Sequence, residues 1–359
     1  MNQLDSRERE TYSRQLVLPF FGETGQINLK KKKIAICGVG GLGANSALLI
    51  AKMGAGFIRL IDRDLVEQSN LPRTPLYSLS DIDTPKVEAA KKKLLELVPD
   101  INIEPFATNI DMSTIDDLLD GIDFVIDGLD AFKPRYAINL RCFEKKIPYF
   151  FAGAQAYSAN ISTFTYRERN LPCLTCIFPD IDDLHLPTCE ITGVHPAILS
   201  ISTAIQISEL TKIVGGKSPQ LEGKMLFYDL ASLSQDVITF KKNPKCQTCS
   251  EESKKGPKNR LKDAFIMELC GKNSYMVVPP EEERSIVIKE TAEEFKKSGL
   301  LVTKQNKYGL SIKIPGFDHK LSIFQGGNVL IRGASTAEEA REAYMKIAEL
   351  LIIKRKSNE

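Results

Sequence analysis

The chain has almost no surplus of charge of either sign, no long apolar run and few cysteines. Across 359 residues, 48 basic side chains face 46 acidic ones, so no net positive field exists to hold the chain on a nucleic-acid backbone or an anionic bilayer. A protein or small-molecule partner is expected instead. The longest apolar runs read as too short to cross a bilayer, and the opening MNQLDSRERE lacks the apolar core of a secretory signal. Both absences point to a cytoplasmic protein with neither nucleic acid nor membrane among its partners. Eight cysteines are too sparse for a disulfide scaffold. Four of them form two C-x-x-C pairs, which in a reducing compartment suggests metal. No internal repeat or low-complexity tract is visible.

What the sequence does have is alternation. From Lys33 the runs IAICGVG, GLGANSALLIAKMGAG and FIRLIDRD switch from strand-like to helical and back, the signature of parallel βαβ units and a Rossmann-like, doubly wound α/β sheet. The segment PKVEAAKKKLLELVPD places Val87, Ala90, Leu94 and Leu97 on one helical face, bounded by Pro85 and Pro99. Strands at NIEPFAT, DFVIDGLD and PYFFAGA and a helix at PRYAINLRCFEKK extend the alternation to about residue 155. Beyond it come a strand-like ISTFTYRE, a helix around Ala197 to Val214 and a final strand MLFYDL. A polar stretch at about 251–260 reads as a linker. It divides residues 1–250 from a small α+β unit at 261–359 with strand candidates SYMVVP, LLVTKQ, LSIKIP, LSIFQ and NVLIRG. A closing helix follows, for which Ser335 and Glu338 fit a capping box.

In Gly38-Val39-Gly40-Gly41-Leu42-Gly43 a strand passes straight into a helix, and the glycines let backbone amides approach a phosphate at the helix N-terminus. Asp62, at the end of the next strand, is placed to bind ribose hydroxyls. The turn therefore reads as a nucleotide cradle. By itself it describes an NAD-dependent oxidoreductase as well as an ATP enzyme, and a nucleotide-bound scaffold without catalysis is a third reading. The lysines Lys30 to Lys33 lie at the wrong end of the strand for phosphate and read as a solvated run.

Polar groups recur where further strands should end: the D-x-D pair Asp62 and Asp64, Asn70 and Arg73 in NLPR, Lys86 in PKVEAA, and Asp130 in GLD, followed by R-x-x-x-N at Arg135 and Asn139. With YSRQL, TCEITGV and both cysteine pairs, these motifs resemble the adenylating enzymes of ubiquitin-like proteins, which include ubiquitin-activating enzymes and the adenylyltransferases of molybdopterin and thiamine biosynthesis. The resemblance spans about residues 8–250. It implies ATP-dependent adenylation of the C-terminal glycine of a ubiquitin-like or sulfur-carrier protein with a Gly-Gly tail. It further implies that Arg14, Arg73 and Lys86 contact the phosphates, Asp62 and Asn70 the ribose region, and Asp130 a Mg²⁺ ion, with Asp64 among the nucleotide-binding residues. The chemistry asks for such a set, because nucleotidyl transfer builds negative charge that cations and Mg²⁺ stabilise without a covalent protein step. Arg14 would reach across the interface of a homodimer. One departure is local: Thr74 and Pro75 follow Arg73 where the family often carries Gln.

Cys173-x-x-Cys176 and Cys246-x-x-Cys249 together supply four thiolates, a closed tetrahedral site for structural Zn²⁺. Cys189, in HLPTCEITGVHP, stands at the family's catalytic cysteine position and is expected to take part in thioester or persulfide chemistry. A downstream conjugating enzyme or sulfur donor is an implied further partner. His185 and His195 flank it without an assigned catalytic role, and Cys37 and Cys142 read as small buried hydrophobes. In the C-terminal unit the run from LSIFQ to AEL has a short resemblance to a half-repeat of TATA-binding proteins. No rhodanese-like loop is visible, which argues against a built-in sulfur donor; by analogy with activating enzymes that carry a partner-recruiting module, protein docking is the expected role of that unit.

Overall fold

A computed structural model describes residues 3–179, 181, 183, 192–250, 265–268, 274–278, 286–306, 309–324, 327 and 329–353. The chain divides into two compact units, Met1–Phe106 with Ile110–Pro257 and Ala107–Asn109 with Lys258–Glu359.

The first unit opens with helices α1 (Ser6–Thr11), α2 (Ser13–Leu16) and α3 (Gly22–Lys31). The alternation then follows as β1 (Lys33–Cys37), α4 (Gly41–Lys52), β2 (Phe57–Ile61), α5 (Lys86–Leu97), β3 (Asn102–Phe106), α6 (Ile115–Leu118), β4 (Phe124–Asp127), α7 (Phe132–Lys145) and β5 (Tyr149–Gln155). These five strands are parallel in the order β3-β2-β1-β4-β5. The order reverses direction between β1 and β4, the switch point where doubly wound sheets bind ligands beyond their carboxyl ends. Four of the five β1 residues are buried, because helices cover both faces of the sheet and a two-sided apolar run can only sit in such a layer.

After β5 the sheet continues antiparallel through β6 (Ser158–Phe164), β7 (Lys224–Asp229) and β8 (Ser234–Thr239). All six residues of β8 are exposed. It has no apolar alternation against a core, which is why sequence periodicity passed over it. Between β6 and β7 stand α8 (Leu174–Ile177) and α9 (Pro196–Val214). In length and composition α9 would suffice to cross a bilayer, contrary to the expectation from run lengths, since Ser, Thr and Gln interrupt its apolar runs without lowering its mean hydropathy enough. Here it is a core helix packed on α4, β5 and β6. Its buried Gln206 donates to the carbonyls of Asp127 and Phe150 at 2.9 and 2.8 Å. On α5, Val87, Ala90 and Leu94 are buried as expected, whereas Leu97 at the fraying end is 42% exposed.

The second unit is a six-stranded antiparallel sheet in the order β11-β12-β13-β14-β10-β9. Its strands are β9 (Phe265–Glu268), β10 (Ser274–Val278), β11 (Leu301–Asn306), β12 (Gly309–Lys313), β13 (Lys320–Phe324) and β14 (Val329–Arg332). Helices α10 (Ile288–Lys297) and α11 (Ala337–Ala348) bury Phe295, Ala343 and Ile347 against Ile312, Leu321 and Ile331 of the sheet. Strand β9 and helix α10 had no counterpart in the sequence reading. The cap of α11 also falls one residue later than expected: Thr336 accepts from the Glu339 amide at 3.2 Å, and the Glu339 carboxylate accepts from the Ser335 amide.

Candidate functional site

At the switch point three glycines close-pack. A Cβ on Gly43 would stand 1.8 Å from the Gly38 carbonyl oxygen, one on Gly128 would stand 2.5 Å from the same oxygen, and Gly38 itself has φ +83°. Only glycine meets these conditions, since both the φ and the backbone approach forbid a side chain. Gly40, the residue before α4, is different: nothing lies within 4 Å of its would-be Cβ. The turn therefore has a tight base and an open mouth, at a helix N-terminus whose first amides lack a side-chain cap. Such a mouth accepts a phosphate.

Asp62 and Tyr77 hold the turn. Val39 donates its N–H to Asp62 Oδ2 at 2.6 Å, and the Tyr77 hydroxyl donates to the Val39 carbonyl. The second Asp62 oxygen accepts from the Asp64 amide at 2.8 Å. Burial pushes the Asp62 carboxyl up, against the pull of nearby Lys86 and of these two N–H donors. Tyr77 carried no sequence signal, because its partner is far away in the chain.

Lys86 is buried at the start of α5, with Nζ 2.9 Å from Asp64 Oδ2. Burial alone would lower its pKa, but Asp64, Asp62 and Asp130 outweigh it, and the ammonium is held well above its ordinary range. Arg73, in the 3-10 turn Gln68–Arg73, bonds the Ser69 carbonyl and reaches over α4, where its Cδ would lie 3.6 Å from a Cβ on Gly41. Asn70 is buried and caps its own turn by accepting from the Glu67 amide at 3.0 Å. Thr74, the departure from the family pattern, is also buried and closes that turn through a 2.8 Å bond to the Asn70 carbonyl. The sequence-derived set Gly38, Gly40, Gly41, Gly43, Asp62, Asp64, Arg73 and Lys86 is thus gathered around one turn, and Asp130 joins it through its field at Lys86. Arg14 is not part of this group; it stands exposed on α2.

Asp130 is exposed, just before α7. It does not cap that helix. The amides of Phe132 and Lys133 donate instead to the two carboxylate oxygens of Asp183, at 2.6 and 2.9 Å. The turn is fixed from beneath by Arg135, whose Nε meets Asp127 Oδ2 at 2.9 Å while Nη2 donates to the carbonyls of Leu129 and Ala152 at 2.6 and 2.8 Å. Asp127 also accepts from Tyr149 and from the Leu129 amide. In the R-x-x-x-N motif, then, Arg135 builds the GLD turn. Asn139 serves the cysteine cluster: its Oδ1 accepts from the Leu174 amide and Tyr166 hydroxyl, both at 3.0 Å, and its Nδ2 lies 3.7 Å from Cys173 Sγ. Helix α7 is thereby the common support of both sites.

The four sulfurs of Cys173, Cys176, Cys246 and Cys249 lie within 4.8 Å of one another. Neighbouring pairs are 3.3 to 3.9 Å apart, against about 3.8 Å for sulfurs around a tetrahedral zinc ion. The amides of Asn243 and Thr248 point at Cys176 and Cys246, both at 3.4 Å, as N–H groups do toward metal thiolates. The set fits a closed metal site. Cys37 and Cys142 are fully buried, and burial pushes both thiols up. Cys189, His185, Cys270 and residues 251–260 lie outside the described residues. His195 accepts from the Ala197 amide at 3.2 Å as the cap of α9 and stacks on Tyr157.

A doubly wound sheet with a glycine cradle, a buried lysine among three aspartates and a four-cysteine cluster defines an E1-like adenylating domain. The chain belongs to the ThiF family, whose model matches residues 12–249, and with it to the E1-like adenylyltransferases. It is 30% identical over 268 residues to the SAMP-activating enzyme E1 of Haloferax volcanii, covering 74% of this chain and 97% of that protein. The sulfur carrier protein ThiS adenylyltransferase of Bacillus subtilis is 29% identical over 349 residues, covering 93% of this chain and 98% of that one. The crystal structure of E. coli MccB with succinimide shares the fold, with a TM-score of 0.60 and 22% identity over 69% of this chain and 75% of that one.

Proposed function

We propose that the chain uses ATP to adenylate the C-terminal glycine carboxylate of a ubiquitin-like or sulfur-carrier protein, and that a sulfur at Cys189 then attacks the acyl carbon and displaces AMP, in thioester or persulfide chemistry. The observation that carries the reading is the buried Lys86 ammonium, held charged by Asp64, Asp62 and Asp130 beside the open Gly40 turn. A hydride-transferring site has no use for such a cation, whereas nucleotidyl transfer does.

The carrier carboxylate attacks the α-phosphorus, a new phosphorus–oxygen bond forms, and pyrophosphate leaves. Arg73 and Lys86 bear on the phosphates and offset the charge that develops there. Asp62 and Asn70 face the ribose, and Arg14 completes the site of a second copy of the chain. Its exposure supports that role, as do the neighbouring exposed Val17, Leu18 and Phe20, an apolar surface of the kind a homodimer covers. Asp130 and Asp64 offer the hard oxygen donors that Mg²⁺ requires; the ion, when bound, neutralises phosphate charge. Zinc fits the four-cysteine cluster as a structural ion, because no coordination position stays open.

Strand β8 is an exposed edge, with Val237 55% exposed and Leu233, just before it, 73% exposed, and it starts at the end of the sheet that carries the nucleotide turn. An extended Gly-Gly tail can add to such an edge through main-chain hydrogen bonds. The C-terminal unit is assigned to partner docking, and the cytoplasm is the compartment consistent with reduced cysteines. ATP–pyrophosphate exchange with Mg²⁺ and a purified Gly-Gly carrier tests the main reading. Exchange that depends on the carrier supports it; no exchange together with tight NAD binding overturns it. A reducible carrier conjugate that disappears in Cys189→Ala tests the sulfur step.

A further inference from the structure

Asp130 stands one residue before Ala131, the N-cap of α7, whose side chain cannot accept a hydrogen bond. An aspartate carboxylate accepts from amides two and three residues ahead, and for Asp130 those amides are Phe132 and Lys133, the first two of α7. Both are taken by Asp183, which arrives from a distant segment and binds them through both carboxylate oxygens at 2.6 and 2.9 Å. That segment is stitched to the same helix turn at a second point. The Ile181 amide donates to the Tyr136 hydroxyl at 2.8 Å, the hydroxyl donates to the Phe178 carbonyl at 2.9 Å, and the Phe132 and Phe178 rings pack 5.1 Å apart. Asp130 is left exposed, its charge felt at Lys86 and Arg135.

We infer that Asp183 is a positioning residue for metal binding: by capping α7 in place of Asp130, it keeps the Asp130 carboxylate free for the divalent cation of the nucleotide site. This rests on the reading of Asp130 as a metal ligand. The two carboxylates compete for one pair of amides. With Asp183 present, the helix end is satisfied and Asp130 faces the nucleotide. Without it, the amides and the positive end of the helix dipole draw Asp130 into the cap, and the cation must displace it.

The test is Mn²⁺ binding to the full chain in the presence of α,β-methylene-ATP, followed by electron paramagnetic resonance, with pyrophosphate exchange measured across Mg²⁺ concentrations in parallel. In Asp183→Ala the Mn²⁺ dissociation constant is expected to rise about fivefold, the equilibrium worth of one cap, and half-saturating Mg²⁺ to rise by the same factor. Exchange at saturating Mg²⁺ should stay within about twofold. Asp183→Asn, which keeps one acceptor oxygen, should fall between. Tyr136→Phe loosens the stitch without removing the cap and should leave Mn²⁺ affinity unchanged. If Asp183→Ala fails to fold, the Asn variant carries the comparison. A loss of exchange with Mn²⁺ affinity unaltered, or an equal loss in Tyr136→Phe, would overturn the inference and make Asp183 a structural cap only. Asp130→Asn separates this from the underlying reading: unchanged Mn²⁺ affinity there refutes Asp130 as a ligand. A weakened affinity there beside an unaffected Asp183→Ala refutes only the role of Asp183.

Discussion

Replacing Arg135 by Met tests whether the GLD turn rests on a buried ion pair. The Arg135 and Asp127 side chains are 4% and 0% exposed, so the substitution leaves a carboxylate inside the protein with, among the described residues, only Tyr149 and the Leu129 amide as donors. The Leu129 and Ala152 carbonyls lose their Nη2 partner as well. Removing one member of a buried pair costs about 3–5 kcal/mol, which for a unit of this size lowers Tm by about 10 °C. The pH dependence has a definite sign. Burial already pushes Asp127 up and Arg135 pulls it down; without the guanidinium the carboxyl rises further. A group with a raised folded-state pKa takes up a proton that the unfolded chain releases. The deficit relative to wild type is therefore fully present above the variant's Asp127 pKa and shrinks as pH falls from there toward the wild-type one, which itself lies above the unfolded value near 3.9. Urea unfolding at pH 7.5 and pH 5 reads both effects. Arg135→Met combined with Asp127→Asn, which removes the charge, should be more stable than Arg135→Met alone. A loss below about 1 kcal/mol, or a deficit that does not change with pH, would refute the reasoning.

Lys86→Met should lower pyrophosphate exchange by about 10²–10³-fold, the cost of removing one charge-stabilising donor. Because the wild-type ammonium is held above its ordinary range, exchange should show no alkaline limb from Lys86 up to roughly pH 10; a limb near neutrality that vanishes in Lys86→Arg would contradict this. Gly43→Ala places a Cβ against the Gly38 backbone and should destabilise the fold, while Gly40→Ala enters open space and should leave thermal stability unchanged yet weaken ATP binding in a fluorescence titration. Equal stability loss in both would argue against an open mouth. Metal analysis of purified protein should give about one zinc per chain, lost in Cys246→Ser with a lowered Tm; a full complement of zinc in that variant would exclude the four-cysteine site.

Local pattern carried much of this molecule. The glycine turn, the βαβ rhythm and the two cysteine knuckles are legible because each is a short run whose backbone geometry or ligand spacing is fixed by its own residue types. Lys86 and Asp62 were legible as neighbours of the glycine turn because the ends of adjacent strands in such sheets converge. Their partners were not. Asp183 at the start of α7, Tyr77 on Val39, Arg135 beneath the GLD turn and Asn139 on the cysteine cluster join segments far apart in sequence, and no periodicity encodes which distant group will satisfy a buried donor. The motif R-x-x-x-N shows the difference: its spacing, one helical turn, was plain from the sequence, but only the folded chain sends Arg135 to one site and Asn139 to the other. Strand β8 was invisible for the opposite reason, since an edge exposed on both faces leaves no burial pattern to read. The sequence by itself determined the chemistry available; tertiary structure decided which carboxylate caps α7 and which stays exposed, because no local pattern says which distant acceptor will meet the first two amides of that helix.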